Sequence, residues 1–391
     1  MIKAVLAIIK CFNCLNYKYI KALINTIKKK LQLIFKKAGY KLYFLFYGKI
    51  SGVLNAEEHE DISVKKISSE DKIKYNIYTI NKSRLYTDTV TDTAFIYKNK
   101  IIKGPSFQYR KTFKGECEEN IVLEKGTPRF LKKLNGNLFS LLTGGAGNAN
   151  YFHWMFDVLP RLSLLEKNYA LKEIDYFLLP NISKKFQIES LDILNIPNNQ
   201  RLSSDKFRHV EAKKIITVDH PYALGNDLSN AIQNVPVWII KWLRKKFLNI
   251  STISKKELPL KFYIDRKDST SNTKDLRKII NEDKVIEILR KNGYTPICLA
   301  DLSLLDQVKI FKNATDIVGL HGAGFANLPF CNPGAKLLEI KTFDAGSMYA
   351  NIARLSNVVY DEISIKPLKF NDNNQFGHIE VPLEILKDKV K

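Results

Sequence analysis

Hydrophobic and polar positions follow two rhythms along this chain. Over residues 1–50, apolar clusters (Val5, Leu6, Ile9; Leu23, Ile24, Ile27; Leu31, Leu33, Ile34; Leu42 to Tyr47) recur among lysines at helical spacing. That pattern suits a basic amphipathic helical arm, lying in a membrane interface or packed on the body. Residues 51–125 predict short strands and turns, including strands at 75–80, 94–97 and 121–123. A Gly-rich loop, Gly144-Gly145-Ala146-Gly147-Asn148, then leads into Tyr151-Phe152-His153-Trp154-Met155-Phe156-Asp157-Val158-Leu159-Pro160-Arg161. Strand and helix signals alternate to about residue 235, and Pro236 starts a connector helix.

From Lys261 the alternation becomes regular. A strand at 262–264 is followed by a helix that Asn281 caps and Gly293 ends. After a strand at 294–299, Ser303-x-x-Asp306 opens a helix with Leu304, Val308 and Phe311 on one face. Strands at 316–320, 336–340 and 358–360 complete the series, with helices between them. Repeated β-α-β units imply a parallel sheet with helices on both faces, and such sheets bind ligands at the carboxyl ends of their strands. The loops after Ile264, Leu320 and Ile340 are the expected site. The expected domains are a basic arm (1–50), an N-terminal domain (51–235), a connector helix (236–255), a C-terminal parallel-sheet domain (256–365) and a tail (366–391) packed back on the N-terminal domain.

Composition narrows the class. The 391 residues are 45% hydrophobic, enough for two cored domains rather than a disordered chain. The formal net charge is +22, and residues 1–50 hold 11 Lys and no acidic residue. Such charge attracts polyanions or an anionic membrane surface. A nucleic-acid fold is not evident, so no nucleic-acid partner is expected. Five cysteines, sparse and odd in number, do not form a disulfide framework, and they point to a reducing cytosol. Cys11-x-x-Cys14 lacks a second pair for a metal site. No stretch has the length of a membrane span, and no secretory signal stands out. The expected location is cytoplasmic, peripheral at the inner face of the cytoplasmic membrane.

Two constellations carry candidate chemistry. His321-Gly322-Ala323-Gly324 ends one strand and opens a helix, where glycine allows close approach and the first amides can receive a phosphate. A tight turn with no ligand is the plainer reading. Arg266 follows another strand of the same sheet and could fork onto phosphate oxygens. Glu339 could accept from ribose hydroxyls. No Asp-x-Asp occurs and the histidines lack zinc spacing, so no metal is expected and arginine and backbone amides would neutralise the leaving phosphate. On the other side, His153 and Asp157 are four residues apart and share a helix face, with Arg161 continuing the spacing past Pro160. The pair suits general-base chemistry or a plain surface pairing.

These segments together resemble glycosyltransferase family 61, in particular its bacterial capsular polysaccharide type. The resemblance rests on Asn150-Tyr151-Phe152-His153-Trp154 with Asp157 and Leu159-Pro160-Arg161; on Phe262-Tyr263-Ile264-Asp265-Arg266; on Asn281-Glu282-Asp283 and Gln307-Val308; and on Gly319 to Leu328 with Pro333-Gly334 and Leu338-Glu339-Ile340. It covers about residues 140–345. It implies a GT-B-like α/β fold of two Rossmann-like domains facing across a cleft. It also implies inverting, metal-independent hexosyl, pentosyl or N-acetylhexosaminyl transfer from a nucleotide sugar, a UDP-sugar foremost, to a lipid-linked or oligosaccharide acceptor. By motif, Arg266, Arg277, His321, Gly322, Ala323, Gly324, Asn327 and Glu339 would hold the donor. Asp157 would be the base with His153 as rival, and Trp154 and Arg161 would lie on the acceptor side. Asp265 replaces the family's common serine and weakens the inference for Arg266. A non-catalytic scaffold in a polysaccharide assembly complex is the alternative.

Overall fold

The structure, a computed structural model, describes residues 2–87, 92–106, 117–142, 150–224, 227–250, 256–266, 277–368 and 377–391. Side chains of the first helix are described at residue 21 and from residue 23 onward, so the Cys11 and Cys14 thiols lie outside the description, as does the Gly-rich loop at 144–148. The cysteines Cys117, Cys298 and Cys331 are free thiols.

The chain opens with a single helix, Ile2–Tyr47. Nine strands then form a mixed sheet: β1 (Val53–Leu54), β2 (Ile62–Ser68), β3 (Lys74–Thr87), β4 (Thr93–Tyr97), β5 (Lys100–Ile102), β6 (Lys132–Ser140), β7 (Tyr176–Leu179), β8 (Arg201–Ser203) and β9 (His209–Val218). Their order is β1-β5-β4-β3-β9-β6-β7-β8, with β2 paired to β3 beside that path. The pairs β9–β6, β6–β7, β7–β8 and β1–β5 are parallel, while β3 is antiparallel to β2, β4 and β9, and β4 is antiparallel to β5. This half is therefore not the plain parallel sheet expected of a Rossmann-like domain. The reason is connection length, because a short link can only return antiparallel. Between β4 and β5 the link is Lys98-Asn99, with φ of 46° and 56°, the left-handed pair of a tight hairpin.

Five further strands form a parallel sheet: β10 (Lys261–Asp265), β11 (Thr295–Cys298), β12 (Asp316–Leu320), β13 (Lys336–Thr342) and β14 (Val359–Ile365), in the order β11-β10-β12-β13-β14. Ile264 lies opposite Gly319, and Gly319 opposite Glu339. The carboxyl ends of β10, β12 and β13 therefore stand side by side.

One hydrophobic core runs through both sheets. It joins Phe139 and Phe177 of the first to Phe262 and Ile317 of the second, and it includes Trp238, Ile239, Leu243 and Phe247. Those four belong to the helix Val237–Phe247, which has six buried positions and so packs as a shared core element. Arg244 on that helix donates from Nη1 to the carbonyls of Pro329 (2.5 Å) and Cys331 (2.7 Å). The helix thereby holds the segment after β12 in place.

Three local expectations fail for identifiable reasons. Residues 121–123 are not a strand. They enter a helical turn, Val122–Lys125, because the Asn120 Oδ1 accepts from the Val122 N–H and Gly126 (φ 63°) closes the turn. Asn281 does not cap the helix Glu282–Lys291 with its side chain. Its amide instead pairs both ways with the backbone of Val381 at 2.9 Å. That contact carries the third correction. Among its described residues, the tail packs on the second half rather than the first sheet, with Ile379, Val381, Leu386 and Val390 buried against Tyr263, Val285 and Leu289.

Candidate active site

The segment after β6 builds the first half of the site. Asn150 caps it, its Oδ1 accepting from the Phe152 N–H at 2.9 Å. A π turn, Trp154–Val158, follows, closed by the Leu159 N–H on the Trp154 carbonyl at 3.1 Å. Pro160 has no N–H to continue the ladder, and a new helix starts at Arg161. The π turn buries Asp157 beneath His153, whose Nδ1 lies 2.8 Å from the Asp157 Oδ2.

Two more side chains reach the same carboxylate, from the loop after β9. The Tyr222 hydroxyl donates to Oδ1 at 2.6 Å. The His220 Nδ1 accepts the backbone N–H groups of Tyr222 (3.3 Å) and Ala223 (3.1 Å), which leaves its proton on Nε2, 3.7 Å from the Asp157 Oδ2. Burial pushes the Asp157 carboxyl up, but the charge and hydrogen bonds of His153 and then His220 outweigh it and hold it well below the usual carboxylate range. Burial pushes the His153 ring down, and Asp157 reverses this, so its pKa lies above the ordinary histidine value. Burial keeps that of His220 low, favouring the neutral ring. His153 retains 24% side-chain exposure against 3% for Asp157. Its Nε2 has no hydrogen-bond partner among the described residues.

The second half sits at the carboxyl ends of β10 and β12. His321 follows β12 directly, and its Nδ1 lies 2.5 Å from the Glu339 Oε1. Glu339, buried on β13, accepts the Tyr360 hydroxyl on Oε2 at 2.7 Å. Arg266 follows β10 and donates from Nη1 to the His321 carbonyl at 3.2 Å. Arg277 is buried nearby, its pKa lowered by burial and then by the Arg266 charge. Two guanidinium groups thus face one small region, where an anion would relieve their repulsion.

The glycines here serve close approach rather than unusual torsion, since Gly322 is extended at φ 173°. A β-carbon on Gly322 would touch the Arg266 guanidinium at 3.4 Å, and one on Gly324 would stand 2.9 Å from Leu299 Cδ1. The helix after the loop is a 3-10 turn, Ala323–Phe330, with Pro329 inside it, and its first N–H groups have no partner within the helix. The loop residues Gly322, Ala323 and Gly324 are partly exposed.

The two halves meet through two aromatic rings. Phe152, next to His153, packs edge-on against Tyr349 at 6.2 Å, and Tyr349 lies 4.9 Å from the His321 ring. Beside them the Tyr151 hydroxyl donates to the Asn327 Oδ1 at 2.6 Å.

Several sequence-predicted residues have other work. Asn327 is fully buried and donates to Gln307 Oε1 and the Gly324 carbonyl, so it clasps the halves together rather than reaching a ligand. Trp154 is a core residue, its Nε1 donating to the Ser190 Oγ at 2.8 Å. Arg161 is buried, and its Nη2 donates to Thr217 Oγ1 (2.8 Å) and the Val218 carbonyl (2.7 Å). Both side chains are buried and spend these donors on protein partners. Arg161 fixes the end of β9, from which His220 and Tyr222 depart. The residues that sequence reading missed are His220, Tyr222, Tyr349 and Tyr360. His220-Pro221-Tyr222 directly follows a strand, a signal available in the sequence once β9 is known to run parallel to β6.

The geometry acquires a context from known proteins. Residues 151–338, just under half of the chain, match the family model Glycosyltransferase 61. The chain carries a glycosyltransferase 61 domain. Both histidine–carboxylate pairs begin inside that domain, and Glu339 stands one residue past its matched end. Curated relatives of the domain include the EGF domain-specific O-linked N-acetylglucosamine transferases of Mus musculus (30% identical over 91 residues, 22% of this chain and 17% of the relative) and Rattus norvegicus (28% over 118 residues, 29% and 21%). The enzyme of that name from Gallus gallus is 28% identical over 91 residues, 22% of this chain and 17% of the relative. The chain spans about a fifth of the length of these relatives.

Among the described residues of the glycosyltransferase 61 domain, no group of three or more His, Cys, Asp or Glu side chains is arranged to hold a metal ion. Among the described residues, Arg266 and Arg277 bring positive charge to the loop after β12.

Proposed function

We propose that this chain transfers a sugar from a nucleotide-sugar donor to a hydroxyl of a glycan acceptor, in a single inverting displacement that needs no metal. The observation that carries the reading is the partly exposed His153 ring, backed through Nδ1 by buried Asp157 and linked to the loop at His321 through the rings of Phe152 and Tyr349. His153, rather than Asp157, is the base. Asp157 already accepts from His153 and Tyr222 and faces the His220 Nε2, and these contacts stabilise it as an anion. It orients the imidazole and supports the cation that forms.

His153 Nε2 takes the acceptor hydroxyl proton as that oxygen bonds to the anomeric carbon. The bond from that carbon to the diphosphate oxygen breaks, and its electron pair stays on the diphosphate. Arg266, Arg277 and the first amides of Ala323–Phe330 hold the charge, and Glu339 with His321 shapes the donor side. Because the similar proteins are named N-acetylglucosamine transferases, UDP-N-acetylglucosamine is the first donor to try. The acceptor class is a lipid-linked or oligosaccharide glycan of capsular or another surface polysaccharide, made at the inner face of the cytoplasmic membrane.

The test is nucleotide release from a panel of UDP-sugars with glycan acceptors, in the presence of a chelator, with the product anomer read by NMR. Transfer with inverted configuration and no loss in the chelator is expected. Activity that EDTA abolishes and Mn2+ restores, or a product of retained configuration, would overturn the mechanism. Nucleotide binding with no turnover on any donor would leave a scaffold.

A further inference from the structure

The first helix shows which way the protein would face a membrane. Spacings of three, four and eight residues put Ile24, Ile27, Leu31, Ile34, Leu42 and Leu45 on one stripe, and each is 46–84% exposed. The stripe runs for about 32 Å at ~1.5 Å per residue. Lys21 and Lys28 border one edge, and Lys30, Lys37 and Lys41 the other. Leu33 alone among the exposed large apolar residues of this helix stands on the far side.

The opposite face is the one that docks. Tyr43 packs edge-on against Phe130 at 5.5 Å. Tyr47 packs against the His209 ring at 4.8 Å, and its hydroxyl accepts the Leu131 N–H at 2.9 Å. Phe44 fills the space beside Gly126, where an added β-carbon would lie 2.3 Å from the ring. Arg84 ties the end down, donating to the Tyr47 carbonyl at 3.2 Å. The body therefore holds the last turn of the helix by that face, while residues 23–38 are exposed around the helix and leave the apolar stripe uncovered.

We propose that this stripe is the surface on which the protein lies on an anionic lipid bilayer, the helix axis in the interface plane and the body held above it. The inference rests on the membrane placement proposed above and names the face that makes it. Charge selects the occupant. Pairing the stripe with its copy in a second chain would bring together two segments that each carry 11 Lys and no acidic residue across positions 1–50. An anionic headgroup layer supplies the missing countercharge on both flanks while the acyl boundary takes the apolar side chains. No helix among the described residues is long and apolar enough to cross a membrane.

The test uses the full chain with vesicles of phosphatidylcholine, alone or mixed with phosphatidylglycerol. The wild-type protein should sediment with the mixed vesicles and much less with phosphatidylcholine, and salt should release it. Ile27→Asp/Leu31→Asp should weaken binding by about 10-fold or more. Replacing Lys28, Lys30 and Lys37 by Gln should weaken it by up to about five-fold per lysine. Thermal unfolding should be unchanged in both variants, because the substituted side chains face solvent. Equal binding to both vesicle types, or wild-type affinity in Ile27→Asp/Leu31→Asp, would overturn the proposal. So would a dimer in sedimentation that Leu31→Asp dissociates, which would give the stripe to a second copy. Vesicle binding by a chain that releases no nucleotide would support the lipid face and count against sugar transfer alone, so the two readings fail separately.

Discussion

Two histidine–carboxylate–tyrosine triads stand in this molecule, and they are built differently. His153, Asp157 and Tyr222 come together at the carboxyl ends of β6 and β9. His321, Glu339 and Tyr360 come together at β12, β13 and β14. In each, a histidine Nδ1 meets a buried carboxylate whose other oxygen accepts a phenol. The first triad draws its histidine and carboxylate from one helical turn, adds a second histidine, and leaves the outer ring nitrogen of His153 without a described partner. The second draws them from neighbouring strands and sits beside two arginines. In the proposed mechanism the first arrangement supplies the base and the second, with its arginines, holds the anion, and the difference lies in what surrounds the same three residue types.

Substitutions can break this contrast. His153→Ala should have the largest effect, lowering kcat by about 100- to 10,000-fold while UDP affinity measured by calorimetry changes little. Equal losses in binding and turnover would move His153 to the donor side. Asp157→Asn should also cut turnover severely and spare nucleotide binding, because the amide no longer supports the imidazolium. Arg266→Ala should act on the other side, weakening UDP binding by about 10- to 100-fold through lost charge-assisted hydrogen bonds. Unchanged affinity would remove Arg266 from the site. The smallest effect belongs to the clasp between the halves. Asn327→Ala strands the Tyr151 hydroxyl and should cost about 1–3 kcal/mol of stability, read as a lower Tm, with modest loss of activity.

Much of the second half was legible in the sequence. Apolar runs of strand length, glycine stops and Ser303, whose Oγ accepts the Asp306 N–H at 3.1 Å, mark each element there, because parallel strands are buried on both faces. The strand-end rule then brought Arg266, His321 and Glu339 together. The first half was less legible because its sheet mixes hairpins with parallel pairs, and neither register nor partner order follows from alternation alone. His153 and Asp157 could be paired from spacing. The ranking between them could not, since it depends on Tyr222 and His220, which arrive from a distant loop. Trp154, Arg161 and Asn327 misled for the opposite reason. Their residue types suit ligand contact, but tertiary packing uses their polar atoms inside the protein.

The pH dependence of kcat/KM in wild type and Asp157→Asn tests the central claim most directly. A base must be neutral to act, so activity should fall as pH drops through the His153 pKa, with a midpoint above the ordinary histidine value of about 6.5. Removing the Asp157 charge should leave burial to dominate and move that midpoint to lower pH in the residual activity. A wild-type limb in the carboxylate range, or a midpoint that Asp157→Asn leaves in place, would contradict His153 as the proton acceptor.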